Sequence, residues 1–164
     1  MIENSGDNNS RTTMSQATEL YKKAAFLNYP DAMFRYAQIL ERICMIKADR
    51  QKAVELYQKA AMMNHADSMF RYAQLLEEGF YVLANKTLAF DFYRKAADCE
   101  VLKYVKHFAQ LVRSGTLGMI DTEMAEKYDF LASKLSKIEK QKEEEKRKQR
   151  VLKEKNEVKG EEEK

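Results

Sequence analysis

Apolar residues recur along the chain at the spacing of an amphipathic α-helix, at positions i, i+3, i+4 and i+7. In the segment that follows Asp31, this apolar stripe consists of Met33, Tyr36, Ala37 and Leu40. Segments rich in asparagine, glycine or proline separate one such stripe from the next. The pattern predicts helices near residues 13–27, 31–43, 49–63, 67–78, 86–98, 101–113 and from 121 onward.

The predicted helix starts repeat with a fixed period. Residues that favour helix N-termini lie 36 residues apart, and an alanine follows each of them four positions later. These pairs are Thr13 and Ala17, Asp49 and Ala53, Asn85 and Ala89, and Asp121 and Ala125. Residues 17–52 match residues 53–88 at 18 of 36 positions, where chance would give about two. The period predicts an all-α fold, an α/α superhelical solenoid of antiparallel helix pairs that ends in a long charged C-terminal helix.

Two kinds of residue are expected to shape each repeat. Asn28 and Asn64 follow the first helix of their repeats and favour the left-handed conformation that closes a helix. Small alanines allow neighbouring helices to approach closely, and we expect Tyr21, Tyr57 and Tyr93 to fill the remaining space in the core.

The chain divides into three regions by composition. We predict a disordered N-terminal segment over residues 1–12, a repeat domain over residues 13–133 and a charged tail, helical or disordered, over residues 134–164. Residues 1–133 together have no net charge, which argues against a nucleic-acid groove, and the positive excess lies in the tail. RNA binding by the tail is an alternative that rests only on screened phosphate contacts, because the tail lacks aromatic residues for base stacking.

The start of the tail continues the last predicted helix. Its apolar seam through Leu131, Leu135 and Ile138 meets polar residues at the next positions, which argues against a stable coiled coil. The first turns of this helix, with Tyr128, Phe130 and Leu131, are expected to cover the apolar end of the repeat array.

The sequence shows no motif of an enzyme or of a membrane protein. No apolar run approaches the roughly 18 residues that span a bilayer, and the N-terminus lacks the pattern of a secretory signal. Cys44 and Cys99 have no metal-site spacing and are expected to be reduced. His65 and His107 have no carboxylate or cysteine at motif spacing. We therefore expect a non-catalytic cytoplasmic or nuclear protein without a metal, a cofactor, a small-molecule substrate or a membrane contact.

The repeat blocks resemble those of a known family. The pattern AxxxYxxAA followed by asparagine, and then AxxxYAxxL, is similar to the Sel-one-like repeats, a branch of the tetratricopeptide superfamily. Ala37, Ala73 and Ala109 stand where that family commonly has a glycine, and Asn28 and Asn64 replace a second glycine. The resemblance covers roughly residues 13–133. It implies an antiparallel α/α superhelix that acts as a protein-binding adaptor.

One flank of the second helix in each repeat is a candidate partner-binding surface. Phe34, Gln38 and Glu41 form a separate stripe when residues are placed at 100° steps. In tetratricopeptide-like arrays this flank faces the concave groove. The equivalent residues of the next repeats complete the set: Phe70, Gln74, Glu77, Lys106, Gln110 and Arg113. A row of glutamines suits an extended peptide because each amide both donates and accepts hydrogen bonds. The predicted partner is a protein or peptide, with basic residues toward the first repeats and acidic ones toward the third.

Two alternatives to this interpretation stay open. Glutamine is a good helix former in its own right, and Phe34 and Phe70 can pack against the helix of the next repeat instead of a ligand. The alternative function is a structural module that self-associates through its end helices. The sequence does not determine the oligomeric state.

Overall fold

The structure, a computed structural model, describes residues 5–43 and 47–162 of the 164-residue chain, and the side chains of residues 15–42 and 49–153. Within these ranges it contains helices and turns and no strand. The helices are α1 (Ser5–Phe26), α2 (Pro30–Ile43), α3 (Lys47–Met62), α4 (Ala66–Glu78), α5 (Lys86–Asp98), α6 (Leu102–Ser114) and α7 (Thr122–Glu162). The predicted all-α fold class is confirmed.

Local sequence determines where most helices begin and end. Asn28 and Asn64 both have positive φ, 62° and 61°, as predicted for residues that close a helix. Asn85 accepts a hydrogen bond from the backbone N–H of Leu88 at 2.9 Å and so caps α5. Asp121 caps α7 in the same way, through the backbone N–H of Met124 at 2.8 Å.

The first helix is longer than predicted. It begins at Ser5 rather than near residue 13, because the residues between contain no proline that would stop a helix from extending toward the N-terminus. The predicted domain boundaries at residues 12 and 133 stay predictions. Cys44, which we expected to be reduced, lies outside the described residues, and Cys99 is an exposed free thiol.

Each helix packs against the next one along the chain, so the molecule has two layers. The odd layer contains α1, α3, α5 and α7, and the even layer contains α2, α4 and α6. We call their exposed sides the odd-helix face and the even-helix face. Fully buried alanines allow the layers to approach, and Tyr57, Tyr93 and Phe108 are the largest fully buried side chains of the core. The expectation that Tyr21 fills the core is wrong, since 38% of this residue is exposed and no described even helix precedes α1 to cover it.

The last helix covers the third repeat with one face and then leaves the array. Tyr128 and Ala132 are buried, whereas all described side chains from residue 139 to residue 153 are exposed. The expectation that Phe130 covers the end of the array is wrong, since 76% of this residue is exposed. Tyr128 takes that role, with its ring 4.7 Å from that of Phe108 and its hydroxyl donating to Asp98 at 2.6 Å.

Candidate functional site

The three glutamines of the predicted row lie on the even-helix face, one on each of α2, α4 and α6. Gln38 and Gln74 are partly exposed, and Gln110 is exposed. In two repeats an arginine three residues earlier donates to the amide oxygen, Arg35 to Gln38 at 3.3 Å and Arg71 to Gln74 at 3.1 Å. These bonds hold the side chains in place and leave their amide NH₂ groups to donate to a ligand.

The two phenylalanines of the predicted site pack between repeats. The Phe34 ring lies 5.8 Å from that of Tyr57 and 5.2 Å from that of His65. The Phe70 ring stacks on Tyr104 at 4.6 Å, and His107 meets it edge-on at 4.9 Å. Both rings are half-buried against the core, so much of their apolar surface stabilises the array instead of facing solvent.

Three further residues of the predicted site connect α2, α4 and α6 to the odd helix that follows each of them. The hydroxyls of Tyr57 and Tyr93 donate to Glu41 at 2.9 Å and to Glu77 at 2.7 Å. In the third repeat an ion pair between Arg113 and Asp129 occupies the same two positions. Burial raises the pKa of the Tyr57 and Tyr93 hydroxyls, and the adjacent glutamates raise it further, so both phenols stay protonated and act as donors.

Two carboxylates on the even-helix face, Glu41 and Asp67, form ion pairs within the array. The Glu41 carboxylate accepts hydrogen bonds from both Nε and Nη2 of Arg71. Asp67 accepts from Lys103 at 2.8 Å and from Tyr104. Burial alone would raise the pKa of Asp67, but the hydrogen bonds from Lys103 and Tyr104 outweigh burial and lower it. These two carboxylates are therefore less available to a basic partner, whereas among the described residues Glu77 accepts only from the neutral hydroxyl of Tyr93 and keeps its charge.

The exposed surface of α6 is different because it is basic. Lys106 and Gln110 are exposed, and no described residue forms an ion pair with Lys106. Lys106 stands at the position that Phe34 and Phe70 occupy in the first two repeats, so the third repeat presents an ammonium group where the others present an aromatic ring.

Sequence reasoning did not include His107 in the candidate surface. Its Nε2 is the one buried side-chain nitrogen or oxygen among the described residues that has no hydrogen-bond partner. The ring borders a cavity of about 190 Å³ that Glu77, Gln110 and Thr116 also line. Burial lowers the pKa of His107, although the charge of Glu77 opposes that shift. The sequence contained one signal for including His107: it lies 36 residues after Arg71 and so holds the equivalent position in the next repeat.

Acidification is expected to destabilise the fold through His107. A histidine whose folded pKa is lowered binds fewer protons than it does in the unfolded chain, so its stabilising contribution exists above the unfolded pKa, about 6.5, and is lost as the pH falls below it. Glu77 on α4 and Tyr93 on α5 are the titratable groups that face the ring. The thermal midpoint of unfolding should decrease as the pH is lowered from about 7.5 to about 5.5, and the decrease should be smaller in His107→Gln. Parallel curves for the two proteins across this range would contradict the assignment.

Within the described ranges, no group of histidine, cysteine, aspartate or glutamate side chains is arranged to hold a metal ion. Over the same residues, no helix combines the length and the apolar character that crossing a membrane requires.

Comparison with known proteins agrees with this architecture. The sequence model of the Sel1 repeat matches residues 14–29, 30–65 and 66–100, together more than half of the chain. The chain belongs to the Sel1 repeat family, the family of the Sel-one-like repeats. Sel1 repeats generally act as protein–protein interaction modules and are typically non-catalytic. No curated protein sequence is detectably similar to the chain.

Two solved structures share the fold. One is a Sel1 repeat protein from Oxalobacter formigenes, with a TM-score of 0.64 and 23% sequence identity over 73% of this chain. The other is a protective antigen present in uropathogenic Escherichia coli strains, described as displaying an SLR fold, with a TM-score of 0.63 and 21% identity over 78% of this chain. This chain spans 49% of the first structure and 29% of the second.

Proposed function

We propose that this protein is a non-catalytic adaptor that binds an extended segment of a partner protein along the even-helix face. In this proposal the even-helix face forms the concave groove of the array. The observation that carries the proposal is the glutamine row, with one side chain per repeat at the same helical position. The amide oxygens of Gln38 and Gln74 are held by arginines, so their NH₂ groups are already oriented to donate to backbone carbonyls of a peptide.

Charge indicates the polarity of the partner segment. Lys106 is exposed on α6, and Arg113 pairs with Asp129 at an exposed position nearby. Since Glu41 and Asp67 are neutralised within the array, the strongest electrostatic complementarity is with acidic residues over the third repeat. Two acidic residues of the first repeats are already paired within the array. The structure therefore supports basic partner residues over these repeats less than the sequence alone did.

The adaptor proposal predicts that a donor-removing variant loses its partners. Gln38→Glu/Gln74→Glu/Gln110→Glu keeps the shape of each side chain, replaces the NH₂ group by a carboxylate oxygen and repels an acidic segment. We expect binding to fall at least about tenfold, the equivalent of roughly 1.4 kcal/mol. Quantitative affinity capture from native lysate, followed by titration of a recovered partner segment, measures the change.

A matched control has the same substitutions outside the row. Gln16, Gln51 and Gln141 are exposed, on α1, α3 and α7, and their triple glutamate variant has the same net charge. Partners that are lost from the row variant and kept by the control support the proposal. Equal retention by both variants, with intact circular dichroism, would reject binding along the glutamine row.

Self-association is the second candidate function, and the exposed side of α1 favours it. Tyr21 is 38% exposed, whereas its equivalents Tyr57 and Tyr93, which the preceding even helix covers, are 1% exposed. Leu20 and Phe26 on the same helix are also exposed. Light scattering separates the two functions, since a mass that rises with concentration favours self-association and a constant monomer mass favours the adaptor.

A further inference from the structure

The odd-helix face contains a pocket between α1 and α3 that the proposed adaptor function does not use. Its volume is about 210 Å³. Its apolar lining consists of Ala25, Phe26, Met33, Tyr36 and Leu56, and charged side chains surround the opening. We call it the Leu56 pocket.

The two later repeats show what fills the equivalent space. Phe92, 36 residues after Leu56, places its ring edge-on against Tyr72 with the centroids 5.0 Å apart at 81°. Tyr128, a further 36 residues on, meets Phe108 at 4.7 Å and 79°. In the first repeat Tyr36 provides the same receiving surface, but leucine replaces the ring that should meet it. The Leu56 pocket is therefore the space of one missing aromatic ring.

Lysines surround this space. Lys22, Lys52 and Lys59 line the pocket, and Glu55 is the one acidic side chain in the lining. The ammonium of Lys95, the equivalent of Lys59, lies 5.2 Å from the ring of Phe92. A ring in the Leu56 pocket would have Lys59 in that position, with a favourable cation–π contact. Glu19 pairs with Lys22 at 3.4 Å, and the positive charge in excess of this pair and of Glu55 attracts carboxylates next to the ring.

We propose that the Leu56 pocket binds an aromatic side chain from an acidic segment of a partner protein. The size supports a single ring, since a cavity of about 150 Å³ holds benzene, while drug-sized ligands need roughly 300–1,000 Å³. The ring packs edge-on against Tyr36, as Phe92 does against Tyr72, and flanking carboxylates lie near Lys22 and Lys52. The pocket is on the opposite layer from the glutamine row, so this proposal does not depend on the proposed function.

The test uses a blocked heptapeptide probe with a central phenylalanine and three glutamates on each side. The probe is titrated into the full chain, and binding is measured from the chemical shifts of the backbone amides of α1 and α3. Leu56→Phe supplies the missing ring from within the chain without changing any charge. It should weaken probe binding at least about tenfold, because the probe's ring loses its burial and its aromatic contact. Leu83→Phe, the same change at a residue that is 89% exposed, should leave binding unchanged.

A second variant keeps the test valid if Leu56→Phe impairs folding. Lys52→Gln/Lys59→Gln leaves the apolar lining intact and should weaken the probe and reduce its salt sensitivity. Replacing the probe's phenylalanine by alanine should abolish the changes in the amide chemical shifts of α1 and α3. The proposal is overturned if the alanine probe binds equally well, if Leu56→Phe folds and binds like the wild type, or if phenylacetate binds as tightly as the peptide, which would indicate a small aromatic anion instead.

Discussion

Replacement of Phe108 by alanine is expected to lower the free energy of unfolding by about 3–5 kcal/mol, the range for removing a large buried ring. Phe108 is fully buried, and its ring lies 5.1 Å from Phe90 and 4.7 Å from Tyr128. It therefore joins α5, α6 and α7, and the cavity left by alanine lies among three helices. Urea denaturation followed by circular dichroism measures the loss.

The natural control for this variant is Phe130→Ala. Phe130 is largely exposed on α7, so the same chemical change should alter the free energy of unfolding by less than about 0.5 kcal/mol. In a repeat array each repeat contacts only its neighbours, so the Phe108 variant should also unfold its C-terminal repeat at lower urea than the rest. Equal losses for the two phenylalanines would contradict the observed packing of α6 and α7.

Local features made the helices predictable from the sequence. Helix α5 has the predicted bounds, 86–98, because Asn85 caps its start and its apolar residues recur at helical spacing. The ends of α1 and α3 are equally local, since Asn28 and Asn64 adopt positive φ without tertiary help. The period of 36 residues then extended each local prediction to every repeat.

The candidate site was less predictable, because it depends on how adjacent repeats meet. Placement at 100° steps groups Glu41 and Glu77 with the glutamines on one flank of their helices, but it does not show that this flank also contacts the next odd helix. Tyr128 and Phe130 are a different case, because two residues apart on a helix is about 200° of rotation, so the 100° placement itself indicates that only one of the two rings faces the array. The Leu56 pocket, in contrast, had a signal in the sequence, a leucine aligned with phenylalanine and tyrosine.

Replacement of Tyr93 by phenylalanine is expected to lower the free energy of unfolding by about 1.5–3 kcal/mol, the usual contribution of a hydrogen bond to a charged group. The variant keeps the ring, with its contacts to Phe70 at 5.3 Å and His107 at 5.1 Å. It removes only the hydroxyl, which donates to Glu77 at 2.7 Å. The measured loss therefore isolates one bond between α4 and α5, again by urea denaturation.

Tyr21→Phe provides the control, because Tyr21 holds the same repeat position on α1 and is 38% exposed. Its loss should stay below about 0.5 kcal/mol. Glu77→Gln adds a test of the glutamate, since an amide oxygen still accepts from Tyr93 while the charge is gone. If stability survives in Glu77→Gln and partner binding falls, the charge of the carboxylate serves the partner, and the fold requires only the hydrogen-bond acceptor. If a double-mutant cycle of Tyr93→Phe and Glu77→Ala, which removes the acceptor, shows no coupling, the hydrogen bond does not stabilise the array.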